Sequence, residues 1–118
     1  MPYYVYMVRC EGGTHYTGIA AHICRRMREH VEKRPQCARY TRAHTVTALD
    51  GLWRAEDRPS AARLEYAVKQ LSRQEKLHLL KKPEDLKTIL PRLEGEDYEY
   101  MRGVTLEMCL RGEFNHGD

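Results

Sequence analysis

No apolar run in this 118-residue chain approaches the roughly 20 residues that a membrane-spanning helix needs. A helical span, and with it a membrane partner, is therefore not expected. The opening MPYYVYMVRC has no basic lead, and its apolar stretch is short and alternating. That is not the pattern of a secretory leader, and residence in the cytoplasm is the expectation. Cysteine is sparse: Cys10, Cys24, Cys37 and Cys109 form no C-x-x-C pair. Neither a zinc knuckle nor a thioredoxin-like redox pair is suggested, and none of the six histidines stands with a cysteine at zinc-finger spacing. Reduced thiols are expected. Phenylalanine and tryptophan occur once each, and Asn115 is the sole asparagine. There is no internal repeat and no low-complexity segment. A chain of this length holds one compact domain with one sizeable core.

Charge is abundant but unevenly spread. Residues 1–82 carry 16 Lys and Arg against 8 Asp and Glu, a net of +8; residues 83–118 carry 4 against 9, a net of −5. A basic body points to a polyanionic partner, most simply nucleic acid. The acidic end either is solvated or lies over the basic surface.

Tyr3–Arg9 alternates aromatic and branched residues, the period of a strand, with Tyr4, Tyr6 and Val8 on one face. Glu11-Gly12-Gly13 supplies hairpin chemistry. Thr14–Ile19 returns as a second strand, bringing Tyr6 and Tyr16 within about one residue of the same level. From His22 to about Lys33, Ile23, Met27 and Val31 recur at helical spacing, and Arg26 and His30, four apart, share a face. Arg34–His44 reads as a basic loop carrying Tyr40. Thr45–Arg54 is a third strand with a bulge or bend at Asp50-Gly51, and Trp53 in it is expected in the core. Asp57 or Ser60 caps a second helix, with Pro59 in its first turn and Leu64, Ala67, Val68 and Leu71 as its buried stripe. Ser72 and Glu75 form a capping box that starts another helix, carrying Leu77 and Leu80. After Lys82-Pro83 a short helix is expected over Glu84–Leu90, then a break at Pro91. Tyr98–Leu110 suits a strand or a short helix, and Arg111–Asp118 a frayed end. The order β-β-α-β-α-α gives a small α/β sandwich with a central sheet of about three strands flanked by helices.

Read singly, the residues with chemical potential have plain explanations. Strand tyrosines usually pack, an arginine-rich helix usually faces solvent, and Glu65 with Lys69 is an ordinary i,i+4 pair. Together they suit phosphodiester cleavage. That reaction needs a base for water, compensation for charge on a five-coordinate phosphorus, and often a hard metal ion. Arginine supplies a planar fork matched to phosphate. Mg²⁺ takes one or two carboxylates and keeps several waters. A tyrosine hydroxyl, with an ordinary pKa near 10, positions water better than it deprotonates it.

Tyr4-Val5-Tyr6, then Tyr16-Thr17-Gly18 ten residues on, then Arg26, the R-x-x-x-H of Arg26 and His30, and Glu65 on a later helix form an ordered set. Over roughly residues 2–82 this set resembles the GIY-YIG nuclease domain, in its small single-domain bacterial branch. The stretch Ala38–Arg42 and the run from Glu65 through Lys69, Leu71, Ser72, Arg73 and Lys76 resemble that branch as well.

The resemblance implies a metal-dependent DNA endonuclease domain over 1–82, with 83–118 as an acidic extension of unknown role. It implies that Glu65 ligates one Mg²⁺ or Mn²⁺, that Tyr6 or His30 orients or deprotonates the attacking water, that Tyr16 bonds to the phosphate or the water, and that Arg26 stabilises transition-state charge. Arg25, Arg39, Tyr40, Thr41, Arg42 and Lys69 would contact DNA, and Gly18 would let the chain turn closely into the Arg26 helix. The sequence departs from the motif at Tyr4 and Val5, which stand for its Gly and Ile, and it has no asparagine within 2–82 for the family's late Asn. With no helix-turn-helix or zinc finger to read bases, backbone- or structure-directed recognition of branched or single-stranded DNA is expected, or a protein partner that supplies specificity. The alternative is a non-catalytic nucleic-acid-binding module of the same fold.

Overall fold

The computed structural model describes residues 2–114. Asn115 and the rest of the expected frayed end beyond residue 114 lie outside the described residues. Eight residues of alternating character, Tyr3–Cys10, form strand β1, and His15–Ala20 forms β2. Gly12 and Gly13 both take positive φ in the turn between them, a conformation that glycine adopts without steric cost. Helix α1 spans Ile23–Val31 with Ile23, Cys24, Met27 and His30 buried. The segment expected to be a loop contains a short helix, α2, at Arg39–Ala43; its five residues are too few for periodicity to show. Strand β3 is Val46–Ala55. Its pairing with β1 steps from Met7↔Gly51 to Val8↔Leu49, leaving Asp50 as the extra residue of a bulge.

Helix α3, Arg58–Lys69, starts with the Asp57 side chain accepting from the Ser60 N–H and with Pro59 in the first turn. Helix α4, Arg73–Lys81, carries the complete Ser72–Glu75 capping box. Its inward residue is Leu79; Leu77 is 41% exposed and Leu80 only partly buried, so the expected stripe is rotated by a residue or two. Past Lys82 come a 3₁₀ turn at Pro83–Asp85, helix α5 at Leu86–Ile89, a second 3₁₀ turn at Pro91–Leu93, strand β4 at Tyr98–Tyr100 and helix α6 at Leu106–Leu110. Both alternatives for Tyr98–Leu110 are therefore realised in succession. Among the described residues no helix is long and apolar enough to cross a membrane.

The sheet is antiparallel in the order β2-β1-β3-β4. It has four strands where about three were expected. The fourth was legible only as one of two alternatives for Tyr98–Leu110, because three residues are too short for an alternating pattern to decide. Side chains alternate across β1 into two cores. On one face Tyr4, Tyr6 and Val8 pack with Ile23 and Met27 of α1 and with Leu106 and Cys109 of α6. On the other, Val5, Met7 and Trp53 pack with Leu64, Ala67 and Val68 of α3, with Leu79, and with Leu86, Leu90 and Leu93 of the extension. Residues past 82 thus fill both cores and extend the sheet.

Candidate active site

The hairpin pairs Tyr6 with Gly18 and Val8 with Tyr16. The two tyrosines are offset by two residues, not one, and an even offset keeps both on the same face. Their ring centroids lie 6.4 Å apart. Gly18 sits within β2, not at a turn. A Cβ there would strike the Tyr6 hydroxyl and ring carbon and crowd Tyr16. Its role is to let the Tyr6 ring lie across the edge strand, which corrects the expected role at the entry to α1.

His30 enters from α1 and is fully buried. Its Nδ1 lies 2.6 Å from the Thr41 hydroxyl and its Nε2 lies 2.7 Å from the Tyr6 hydroxyl. The proton positions follow from the far end of this chain. Thr41 Oγ1 donates to the Ala38 carbonyl at 3.1 Å, and a carbonyl oxygen only accepts. Thr41 therefore accepts from His30 Nδ1–H, which leaves Nε2 to accept from Tyr6 O–H. Arg26 Nε in turn donates to the Tyr6 oxygen at 3.2 Å. The result is a directed chain, Arg26 to Tyr6 to His30 to Thr41 to Ala38, with every proton assigned.

The electrostatics agree with that assignment. Burial first, and then the Arg26 charge, lower the His30 pKa to about 4 against a smaller opposing effect of Glu29. The imidazole is thus neutral at pH 7 and free to accept. Burial raises the Tyr6 pKa well above its ordinary value of 10; the Arg26 hydrogen bond and charge oppose this, and Tyr16 and Glu65 add to it. Tyr6 therefore rests as a phenol. Arg26 is partly buried, which by itself would lower its pKa, but bonds to Glu29 and Tyr6 outweigh this and hold the guanidinium charged. Its Nη1 donates to Glu29 Oε1 at 2.8 Å and to the Gln36 carbonyl at 2.7 Å. Nη2 has no partner among the described residues.

Glu65 comes from α3, which packs on β1 and β2, and its charge is felt at Tyr6. Its carboxylate pairs with Lys69 at 3.3 Å, and Lys69 Nζ lies 5.6 Å from the centre of the Tyr16 ring. Tyr40 stacks on Tyr16 at 6.1 Å and 12° and against His44 at 4.1 Å and 10°, while its hydroxyl donates to Thr14 at 2.6 Å. The structure therefore brings Tyr6, Tyr16, Arg26, His30, Glu65, Lys69 and Tyr40 into one neighbourhood. Arg25, Arg39 and Arg42 are exposed, and Arg42 Nη2 donates to the Pro35 carbonyl at 2.8 Å.

Thr41 departs from its expected role as a DNA contact: it is fully buried and serves as the acceptor for His30. Glu29 and Gln36, which pin Arg26, were not singled out from the sequence. The i,i+3 spacing of Arg26 and Glu29 was a usable signal; the Gln36 carbonyl left none.

Among the described residues no three His, Cys, Asp or Glu side chains converge as a metal cage. The donor set at Glu65 is a single carboxylate, about one quarter exposed. It fits a Mg²⁺-type ion that keeps most of its waters and does not fit zinc, which wants several nitrogen or sulfur ligands.

A family model described as the GIY-YIG catalytic domain matches residues 2–78. A UPF0213 protein of Fusobacterium nucleatum is 34% identical over 84 residues, covering 71% of this chain and 82% of its own. A UPF0213 protein of Desulfotalea psychrophila is 43% identical over 82 residues, covering 70% and 74%. The solution NMR structure of a UPF0213 protein from Bacillus halodurans is 33% identical, with a TM-score of 0.44, covering 76% of this chain and 97% of that one. With the catalytic-domain model matching residues 2–78 of 118, and with sequence relatives 34% and 43% identical over 71% and 70% of the chain, the chain belongs to the GIY-YIG family, in the small single-domain branch that its UPF0213 relatives represent.

Proposed function

We propose that this protein is a divalent-metal-dependent DNA endonuclease, acting in the cytoplasm, that hydrolyses a phosphodiester in one step and is directed by DNA backbone and structure rather than by a long sequence. The observation that carries the reading is the proton-ordered chain from Arg26 through Tyr6 to His30, beside the carboxylate of Glu65. A chain whose purpose was only packing would not need a neutral imidazole aimed at a phenol that in turn contacts a guanidinium.

In this reading Tyr6 is the group that meets water, and His30 is the acceptor behind it. A phenol with a raised pKa is a poor base alone. Coupled to His30 Nε2, it takes a proton from water while passing its own to the imidazole, so no free tyrosinate forms. His30 does not meet water directly, because both its nitrogens are occupied. Tyr6 is fully buried in the free protein, so water reaches its hydroxyl when the partly exposed Tyr16 shifts on substrate binding. Arg26 offers Nη2 to the phosphate while Glu29 and Gln36 fix the rest of its fork, placing a permanent charge where negative charge develops. Tyr16 donates to a phosphate oxygen. Lys69, Arg25, Arg39, Arg42 and Tyr40 hold the DNA backbone.

Glu65 is the residue that would hold Mg²⁺ or Mn²⁺; such an ion, when bound, neutralises phosphate oxygens and the leaving oxygen. A binding-only module has no use for a carboxylate beside a phosphate, which sets the non-catalytic alternative second. Any sequence preference would come from a protein partner.

The test is cleavage of single-stranded, duplex and branched DNA with Mg²⁺ or Mn²⁺. The wild type should cut, Glu65→Gln should not, and Arg26→Ala should bind DNA yet fail to cut. Equal cutting by wild type and Glu65→Gln would end the enzyme reading.

A further inference from the structure

The C-terminal extension supplies one wall of a cleft that begins at Glu65. Ala62, Arg63, Glu65 and Tyr66 of α3 face Arg92 and Leu93 across a space of about 580 Å³. The apolar side is Leu93, which is 4% exposed, with Ala62 partly buried beside it. Tyr66 stands out in a chain that buries Tyr4, Tyr6 and Trp53: it is 63% exposed. The Arg92 guanidinium lies 5.9 Å from the centre of its ring. Arg63 is already committed to Glu96 through two N–H bonds at 3.0 and 3.1 Å. Arg92 has no carboxylate partner among the described residues. The family model ends at residue 78, so this wall lies outside the matched segment.

We propose that the cleft holds an unpaired nucleobase of the strand being cut, stacked on Tyr66, with Arg92 taking the adjoining phosphate. The inference rests on the nuclease reading for the place of the scissile phosphate at Glu65. A ring face and a guanidinium fork side by side match the two halves of a nucleotide. In a duplex both faces of each base are already stacked, so an exposed aromatic ring selects for a base that is unpaired. Every base has a π-face, so the contact reads strandedness and not sequence. Continuity through Glu65 fixes the occupant: a base in this cleft belongs to a nucleotide next to the phosphate at that carboxylate.

The test separates binding from cleavage. Anisotropy of a labelled single-stranded oligonucleotide in EDTA reads binding with the metal-supported reaction switched off. Tyr66→Ala should weaken that binding roughly 5- to 100-fold, Arg92→Ala should weaken it as well, and Tyr66→Phe and blunt-duplex binding should change by less than about twofold. An abasic site moved along the oligonucleotide should reveal one position where the wild type loses affinity, and that position should be silent in Tyr66→Ala. The proposal is overturned if Tyr66→Ala binds single strands normally, if it weakens duplex binding equally, or if both proteins share one abasic profile. A wild-type dimer that Tyr66→Ala dissociates would assign the cleft to a second copy and overturn it too. If the wild type cuts no DNA yet the binding results hold, the nuclease reading falls and the stacking subsite stands. If DNA is cut and the binding results fail, the reverse holds.

Discussion

Replacing His30 with glutamine tests the protonation state on which the candidate site depends. The imidazole is fully buried and neutral, with its pKa lowered from the ordinary 6.5 to about 4 by burial and by Arg26. Between those two values the unfolded chain binds a proton that the folded protein does not. Folding stability therefore falls as pH drops from 6.5 to about 4 and levels off below that. The gap is about 2.5 pH units, and at 1.36 kcal/mol per unit it amounts to about 3 kcal/mol. Glutamine also donates and accepts but does not titrate, so the variant lacks this loss. Urea unfolding followed through Trp53, the sole tryptophan and 1% exposed, gives the stability of both proteins from pH 7 to pH 4. Carboxylates titrate in both and cancel in the difference. The glutamine variant should gain about 3 kcal/mol on the wild type across that window. A difference independent of pH would refute a buried neutral His30. The same reasoning places the acid limb of kcat/KM near pH 4 and not near 6.5, because His30 must be neutral to accept from Tyr6.

Tyr6→Phe should lower single-turnover cleavage by roughly 10²- to 10⁴-fold. It also orphans His30 Nε2 and Arg26 Nε, at a cost of about 1–3 kcal/mol in urea unfolding. Gly18→Ala places a methyl on the Tyr6 hydroxyl; it should cost about 1–3 kcal/mol and depress cleavage with it, and a fully active, equally stable variant would contradict the packing described. Deleting residues 83–118 removes Leu86, Leu90, Leu93, Leu106 and Cys109 from the two cores. At about 1.5–3 kcal/mol for each large apolar side chain the loss rivals the whole stability of a domain. The fragment should lack cooperative unfolding, and a sharp transition at unchanged midpoint would show the extension to be dispensable.

The sequence made the first two thirds of this molecule readable because its signals are local. Alternation over Tyr3–Arg9, the double glycine, the Arg26–His30 spacing and the Ser72–Glu75 box each declare their structure within a few residues. The bulge at Asp50 followed from a glycine inside a strand pattern. What escaped depends on distance along the chain. Thr41 looks like surface in a basic stretch, and only the folded contact with His30, eleven residues away, reveals its buried role. Strand β4 has three residues and exists because β3 offers an edge. From its charge the extension reads as solvated or as lying over the basic surface, yet its sparse leucines reach the cores.

Strand β1 lies in the interior of the sheet, hydrogen-bonded to β2 on one side and β3 on the other. Its amides therefore open to exchange mainly when the whole domain does. Tyr6 inherits that protection, whereas Tyr16 rides on an edge strand and Arg26 and Tyr40 are partly exposed on helices. The site thus divides into an anchor in the sheet interior and a rim on the edge strand and helices. Under the proposed function, the Tyr6 hydroxyl would be the fixed point of the site, held for as long as the sheet stays folded.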